Sequence, residues 1–227
     1  MAQELADMFH VLFGIYDADE YNMEKNFTPI TGSMVAIVTP FNADGSVDHG
    51  RLTEPVNRHI EKGTDAIVAL GTTGETSSAT LEEDIKTLDT VLKAANGRIP
   101  VVAGSGSNSS YTQKSNCEIF TKMGADAMLC ISPYYIKINE EGMYRHFMMS
   151  AESDSAPIIL YNVPGRTGYK ISSNVVRRLS THPNVMGIKE AMNLMGMNAG
   201  HYRMPLYPMA EGNHTKLMEI MKAAGLL

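Results

Sequence analysis

The stretch Ala66–Ser105, AIVALGTTGETSSATLEEDIKTLDTVLKAANGRIPVVAGS, decides how this chain folds. Its two ends, "AIVALG" and "PVVAGS", are short apolar runs without polar alternation, the composition of strands covered on both faces. Between them, Thr80-Leu-Glu-Glu83 is a capping box. The threonine oxygen takes a backbone N–H of the first helical turn, and the glutamate returns to the N–H of the cap. Leu81, Ile85, Leu88, Leu92 and Ala95 then recur on one helical face, and Gly97 stands where a C-terminal cap belongs. Strand, loop, helix and strand in succession make a βαβ unit, whose two strands run parallel.

The same pattern extends outward on both sides with a period of about thirty residues. Further strands are expected at "MVAIVTP" from Met34, "AMLCIS" from Ala127, "PIILYN" from Pro157 and "NVMGIK" from Asn184. Helices are expected over 139–150 and 172–179. Another is expected over 52–61, with Pro55 near its first turn, where a missing N–H is tolerated. After six strands the pattern stops. Beyond Ala191 come a short helical stretch and the proline-bearing connector "YRMPLYPMAEGN". A last amphipathic helix follows, carrying Leu217, Ile220, Met221 and Ala224. At the other end, Leu5, Met8, Phe9, Leu12 and Phe13 form one apolar helical stripe. The expected organisation is an N-terminal extension over 1–30, βα units over 31–191, and a tail over 192–227 ending in a helix.

Composition narrows the function. The chain has 227 residues, 44% hydrophobic and 19% charged, ordinary values for a globular protein. A formal net charge of -6 with no Lys/Arg block speaks against nucleic acid and anionic membrane surfaces as partners. No apolar run approaches the ~20 residues of a membrane span. The opening "MAQELADMFH" lacks the basic start of a signal peptide, so a cytoplasmic protein is expected. Cys117 and Cys130 sit in apolar segments without a partner motif and read as buried free thiols.

In a parallel βα architecture, ligands bind at the carboxyl ends of the strands. Those ends carry "GTTGE" (71–75), "GSGSNSS" (104–110), "SPYY" (132–135), "YNVPGRTG" (161–168) and "GIKEA" (187–191). They supply a lysine, three tyrosines, paired threonine hydroxyls and an arginine, with few acids. Such a set suits covalent amine chemistry with tyrosine proton transfer. Taken singly, each piece also has a plain reading: a solvated lysine ending a strand, tight turns, packed aromatics, a surface ion pair at Arg166. Neither glycine-rich loop has the lysine of a P-loop or the full spacing of a dinucleotide loop. His146 and His182 stand without second ligands, so no metal site is expected.

Together, "TGSMVAIVTPF", "GTTGE", "SPYY" followed by "EGMYRHF", "LYNVPGRTG" and "GIKEA" resemble, in order and spacing, the dihydrodipicolinate synthase and N-acetylneuraminate lyase family of pyruvate-dependent lyases and aldolases. The likeness runs from about Thr31 to Ala191, and "GTTGE" with the arginine of "NVPGRTG" favours the synthase branch. The resemblance implies a (β/α)8 TIM barrel, here incomplete at about six βα units. It implies a Schiff base between Lys189 and C2 of pyruvate, with no cofactor and no metal. Tyr161, Thr72 and Tyr135 would form a proton relay, Tyr135 entering a neighbouring subunit's site. Thr73 and the backbone beside it, at Gly71, would hold the pyruvate carboxylate. Arg166 would grip the second substrate, L-aspartate 4-semialdehyde, in lysine and diaminopimelate biosynthesis. A homo-oligomer, dimer or tetramer, is implied as well.

A complete barrel takes about 250 residues. In relatives "GIKEA" leads on to strands 7 and 8, whereas here the residues after Ala191 are similar to the very end of the family. An internal segment is therefore expected to be missing, with "KEA" as the joint. A lysine with a pKa of ~10.4 is neutral only about once in 2,500 molecules at pH 7. An open half-barrel is expected to hydrate Lys189 and leave the chemistry weak. The alternatives are an inactive shortened relative that binds pyruvate or another subunit, and another pyruvate aldolase such as N-acetylneuraminate lyase.

Overall fold

The computed structural model of the chain describes residues 27–190. The expected N-terminal helix, the tail helix and the segment following Ala191 lie outside the described residues. Among the described residues, six strands form one parallel sheet in sequential order. They are β1 (Met34–Ala36), β2 (Ala66–Ala69), β3 (Val101–Gly104), β4 (Ala127–Ile131), β5 (Ile158–Asn162) and β6 (Val185–Glu190). The connecting helices are α1 (His49–Glu61), α2 (Leu81–Ala95), α3 (Ser110–Lys122), α4 (Glu140–Ala151), the single turn α5 (Pro164–Thr167) and α6 (Ser173–Ser180). Sequential parallel order with helices after β1 to β5 is the architecture of an incomplete (β/α)8 barrel, of which six strands are described.

Alternation along the strands sorts their side chains onto two faces. Ile67, Ala69, Val101, Met128, Cys130, Ile158 and Leu160 point outward and pack with Leu88, Phe120, Phe147 and Leu179 of the helices. Val68, Val102, Ala127, Leu129, Ile159 and Tyr161 point inward and pack on one another across the curled sheet. Both clusters are buried, which explains why the strands read as continuous apolar runs.

The helices largely follow their sequence signals. The capping box at Thr80 closes in both directions, Glu83 N to Thr80 Oγ1 at 3.3 Å and Thr80 N to Glu83 Oε2 at 2.8 Å. Asn96, in the left-handed conformation, ends α2, with Gly97 following it. Leu81 departs from the expected buried stripe and is 44% exposed. Pro55 also departs from expectation. Helix α1 starts earlier, at His49, because the Asp48 carboxylate accepts from Arg51 N, and Pro55 therefore sits mid-helix. Burial of Leu52 and Val56, one turn apart, holds that helix against the sheet despite the lost backbone bond. Helix α3 has a signal overlooked in the sequence: Ser109 caps it, and Gln113, Cys117 and Phe120 form its buried stripe.

Candidate functional site

The carboxyl ends of the strands assemble the candidate site, and one irregularity in β6 governs its key residue. Strands β5 and β6 pair Ile158 with Val185 and Ile159 with Gly187, so Met186 is an extra residue on the β6 side. Val185 packs with the outer cluster, Met186 with the inner one, and Ile188 again with the outer one. Strict alternation from Met186 would point Ile188 inward and Lys189 at the helices. The bulge re-sets the register, so Lys189 lies beside Tyr161 on the inner face.

Lys189 Nζ stands 4.6 Å from the centroid of the Tyr161 ring. The lysine is half-buried, and burial lowers its pKa from the ordinary lysine value. Desolvation penalises the ammonium form, while the ring face favours it by roughly 0.5–2 kcal/mol, so the ring opposes part of the shift. The expected hydration of Lys189 is thus partial, since the side chain is half-buried. On the inner face of the curled sheet, Lys189 is withdrawn from water in part.

Tyr161 is 6% exposed, and its Oη lies 3.4 Å from Thr72 Oγ1. That is a long hydrogen bond, of the kind that tightens when a substrate fills the space. In β4, Ile131 pairs with Tyr161, so Ile131, Tyr161 and Lys189 lie level across three adjacent strands. Thr72 reaches the same level through an unusual turn. Leu70, at the end of β2, has φ 55°, a left-handed conformation that costs a branched residue energy. Its carbonyl then lies where a side chain at position 104 would be: a Cβ on Gly104 would come within 1.9 Å of it. Glycine at 104 is required by that close approach.

A cavity of about 280 Å³ opens beside this group, its walls including Gly71, Thr72, Thr76, Asp84, Tyr134 and Tyr161. Asp84 accepts from Thr76 Oγ1 at 2.8 Å, and burial pushes its carboxyl up to about 6. Nothing in the sequence singled out Asp84, because a carboxylate early in a helix ordinarily just faces the helix dipole.

The expected site residues are therefore only partly brought together. Gly71, Thr72, Tyr161 and Lys189 converge. Thr73 is exposed beside them, and neither it nor Lys189 lines the cavity. Arg166 stands exposed on α5. Tyr135 is 97% exposed at φ 67°, its side chain held out at the rim. Cys117 and Cys130 are buried free thiols, as expected, but the fold brings their sulfurs to 3.6 Å. Among the described residues, no helix is long and apolar enough to cross a membrane.

Comparison with known proteins matches residues 29–193 to a model of the dihydrodipicolinate synthetase family. Over 162 residues the chain is 49% identical to the 4-hydroxy-tetrahydrodipicolinate synthase of Pseudomonas aeruginosa, covering 71% of this chain and 56% of that one. Over 169 residues it is 44% identical to the enzyme of that name from Neisseria meningitidis, covering 74% and 58%. A crystal structure of the chloride-inhibited dihydrodipicolinate synthase from Acinetobacter baumannii, complexed with pyruvate, matches at 47% identity and a TM-score of 0.70. It covers 71% of this chain and 56% of that one. The chain thus spans 56–58% of the length of these relatives.

Proposed function

The chain belongs to the dihydrodipicolinate synthetase family, and from that membership we propose that it is a Schiff-base lyase acting on pyruvate through Lys189. Neutral Nζ of Lys189 adds to C2 of pyruvate, and loss of water leaves an iminium. Removal of a methyl proton gives the enamine, which attacks the aldehyde carbon of L-aspartate 4-semialdehyde. The imine is made from the chain's own lysine, so the reaction calls for no separate cofactor.

The observation that carries this reading is Lys189 itself: inward-facing, half-buried, its pKa lowered by burial, with Tyr161 beneath it and Thr72 within reach of the phenol. Tyr161 is the group to carry protons to and from the carbinolamine oxygen, with Thr72 orienting its hydroxyl. Gly71 and Thr73 flank Thr72 and supply backbone and hydroxyl donors for the pyruvate carboxylate. Arg166, exposed on a single turn, is the candidate for the second substrate's carboxylate. Tyr135, projecting at the rim, is assigned to the site of a second copy of the chain, which makes the working form a homo-oligomer. A cytoplasmic location is proposed with this function, in keeping with its named relatives.

The test is borohydride trapping. Protein incubated with pyruvate and sodium borohydride is expected to gain one reduced pyruvate adduct, mapped to Lys189 and missing in Lys189→Ala. An unmodified Lys189 in well-folded protein would remove the catalytic reading and leave a family fold without its chemistry.

A further inference from the structure

We infer that His146 is a positioning residue that locks together the two rim loops after β3 and β4, and thereby sets the wall of the site. The inference rests on the Schiff-base reading of that site and adds to it a residue that touches neither lysine nor substrate.

His146 lies on α4, is 1% exposed, and spends both ring nitrogens on neighbouring elements. Its Nε2 is 3.0 Å from the carbonyl oxygen of Ile131, the last residue of β4. Its Nδ1 is 2.9 Å from Oγ of Ser110, the first residue of α3. A carbonyl can only accept, so Nε2 carries the proton and donates to Ile131, and Nδ1 accepts from the Ser110 hydroxyl. The neutral imidazole therefore satisfies both partners, and burial favours that neutral form by lowering its pKa.

What the two bonds join gives the residue its role. Ser110 follows the loop after β3, and Gly104 at the end of β3 with Gly106 and Ser107 of that loop wall the cavity. Ile131 opens the loop that carries Tyr134 and Tyr135, and it also pairs with Tyr161 in the sheet. Among the described residues, Ser132 N donates to Tyr161 O and Ile138 N donates to Tyr169 Oη, while the buried hydroxyl of Ser132 has no hydrogen-bond partner. A second contact involves the same residue. A Cβ on Gly106 would come within 2.5 Å of the Ile131 side chain, so glycine there lets one loop seat directly on the other. Ile131 is thus held by both His146 and Gly106, and it pairs with Tyr161 and leads into the loop that carries Tyr134.

The experiment compares wild type, His146→Leu and His146→Gln by amide hydrogen exchange with mass readout and by the rate of pyruvate trapping. Glutamine reaches the Ile131 carbonyl with an amide N–H, whereas leucine fills the space without a donor. In His146→Leu, peptides covering 104–110 and 131–139 are expected to exchange at least ten-fold faster together, with α1 and α2 unchanged, and trapping to slow about ten-fold. His146→Gln is expected to recover most of both. Uniform acceleration across the chain, or equal behaviour of the two variants, would overturn the proposal. Should leucine prevent folding, nitrogen-15 NMR of wild type decides: protonation on Nδ1, or on both nitrogens, at pH 7 contradicts the assigned bonds. Exchange and NMR need no activity. A wild type that traps no pyruvate while its two loops respond as expected would sink the Schiff-base reading and leave the anchoring intact.

Discussion

The two faces of the one sheet are built to different rules. The outer face packs against large side chains of the helices, Phe120, Phe147, Leu88 and Leu179 among them, all fully buried. The inner face is lined by Val68, Val102, Ala127, Leu129 and Ile159 and ends at the rim in a tyrosine, a lysine and a threonine. The outer face is close-packed, so removing volume there costs stability. The inner face ends in groups that are awkward to bury, a lysine half out of water above all. Stability and chemistry are therefore separated by the plane of the sheet, and substitutions on the two sides should fail in different ways.

The largest expected effect is at Lys189. Lys189→Met should abolish the borohydride-trapped adduct completely while the melting temperature at pH 7 holds or rises, because the cost of a half-buried ammonium is removed. The sign follows from the lowered pKa. The unfolded chain binds the extra proton between the depressed folded value and the ordinary lysine value, so wild-type stability climbs with pH through that window and the methionine advantage shrinks. A marked fall in melting temperature would mean that Lys189 holds the sheet together, and the division between the faces would fail. On the other face, Phe120→Ala should cost about 3–5 kcal/mol in urea denaturation, and protein that remains folded should still trap pyruvate at the wild-type rate. Slow trapping by the folded fraction would show the faces to be coupled.

A finer probe is Tyr161→Phe, which keeps the ring under Lys189 and removes only the hydroxyl facing Thr72. Trapping should slow about 100-fold, with denaturation midpoints within experimental scatter of wild type. An unaltered rate would assign proton transfer to another group. The smallest effect is expected at Asp84, whose carboxyl is pushed up to about 6 by burial. Between the ordinary value and 6 the folded state binds the extra proton, so stability falls as pH rises through that interval. Asp84→Asn should stabilise the protein at pH 7 by about 1–2 kcal/mol, after allowance for the exposed part of the group. That gain should vanish near pH 4, as melting curves at the two pH values would reveal. An advantage that persisted at pH 4 would trace to packing instead of charge.

Much of the fold was legible because βα units are local objects. The capping box at Thr80 and the apolar runs of the six strands depend only on near neighbours, and they appear where expected. Misreadings occurred where a distant contact outweighed local preference. Pro55 is carried mid-helix because Leu52 and Val56 are buried, and Leu81 belongs to the cavity rim instead of the core. The site was legible in part. "GTTGE", the tyrosine of "YNVPGRTG" and the lysine of "GIKEA" marked Thr72, Tyr161 and Lys189. Asp84 and His146 carried no recognisable pattern, since the importance of each comes from what the fold sets against it.

By itself, then, the sequence determined the parallel βα architecture, the chemistry on offer at the strand ends and the family. These are written in short-range periodicity and in motifs that survive without coordinates. Only the tertiary structure decided that an extra residue at Met186 turns Lys189 inward, and that Ile131, Tyr161 and Lys189 stand level. It alone decided that His146 ties two loops through one neutral ring. Register across strands and contacts across layers join residues far apart in the chain. Such pairings are fixed by the packing of the whole sheet, and no local stretch of residues encodes them.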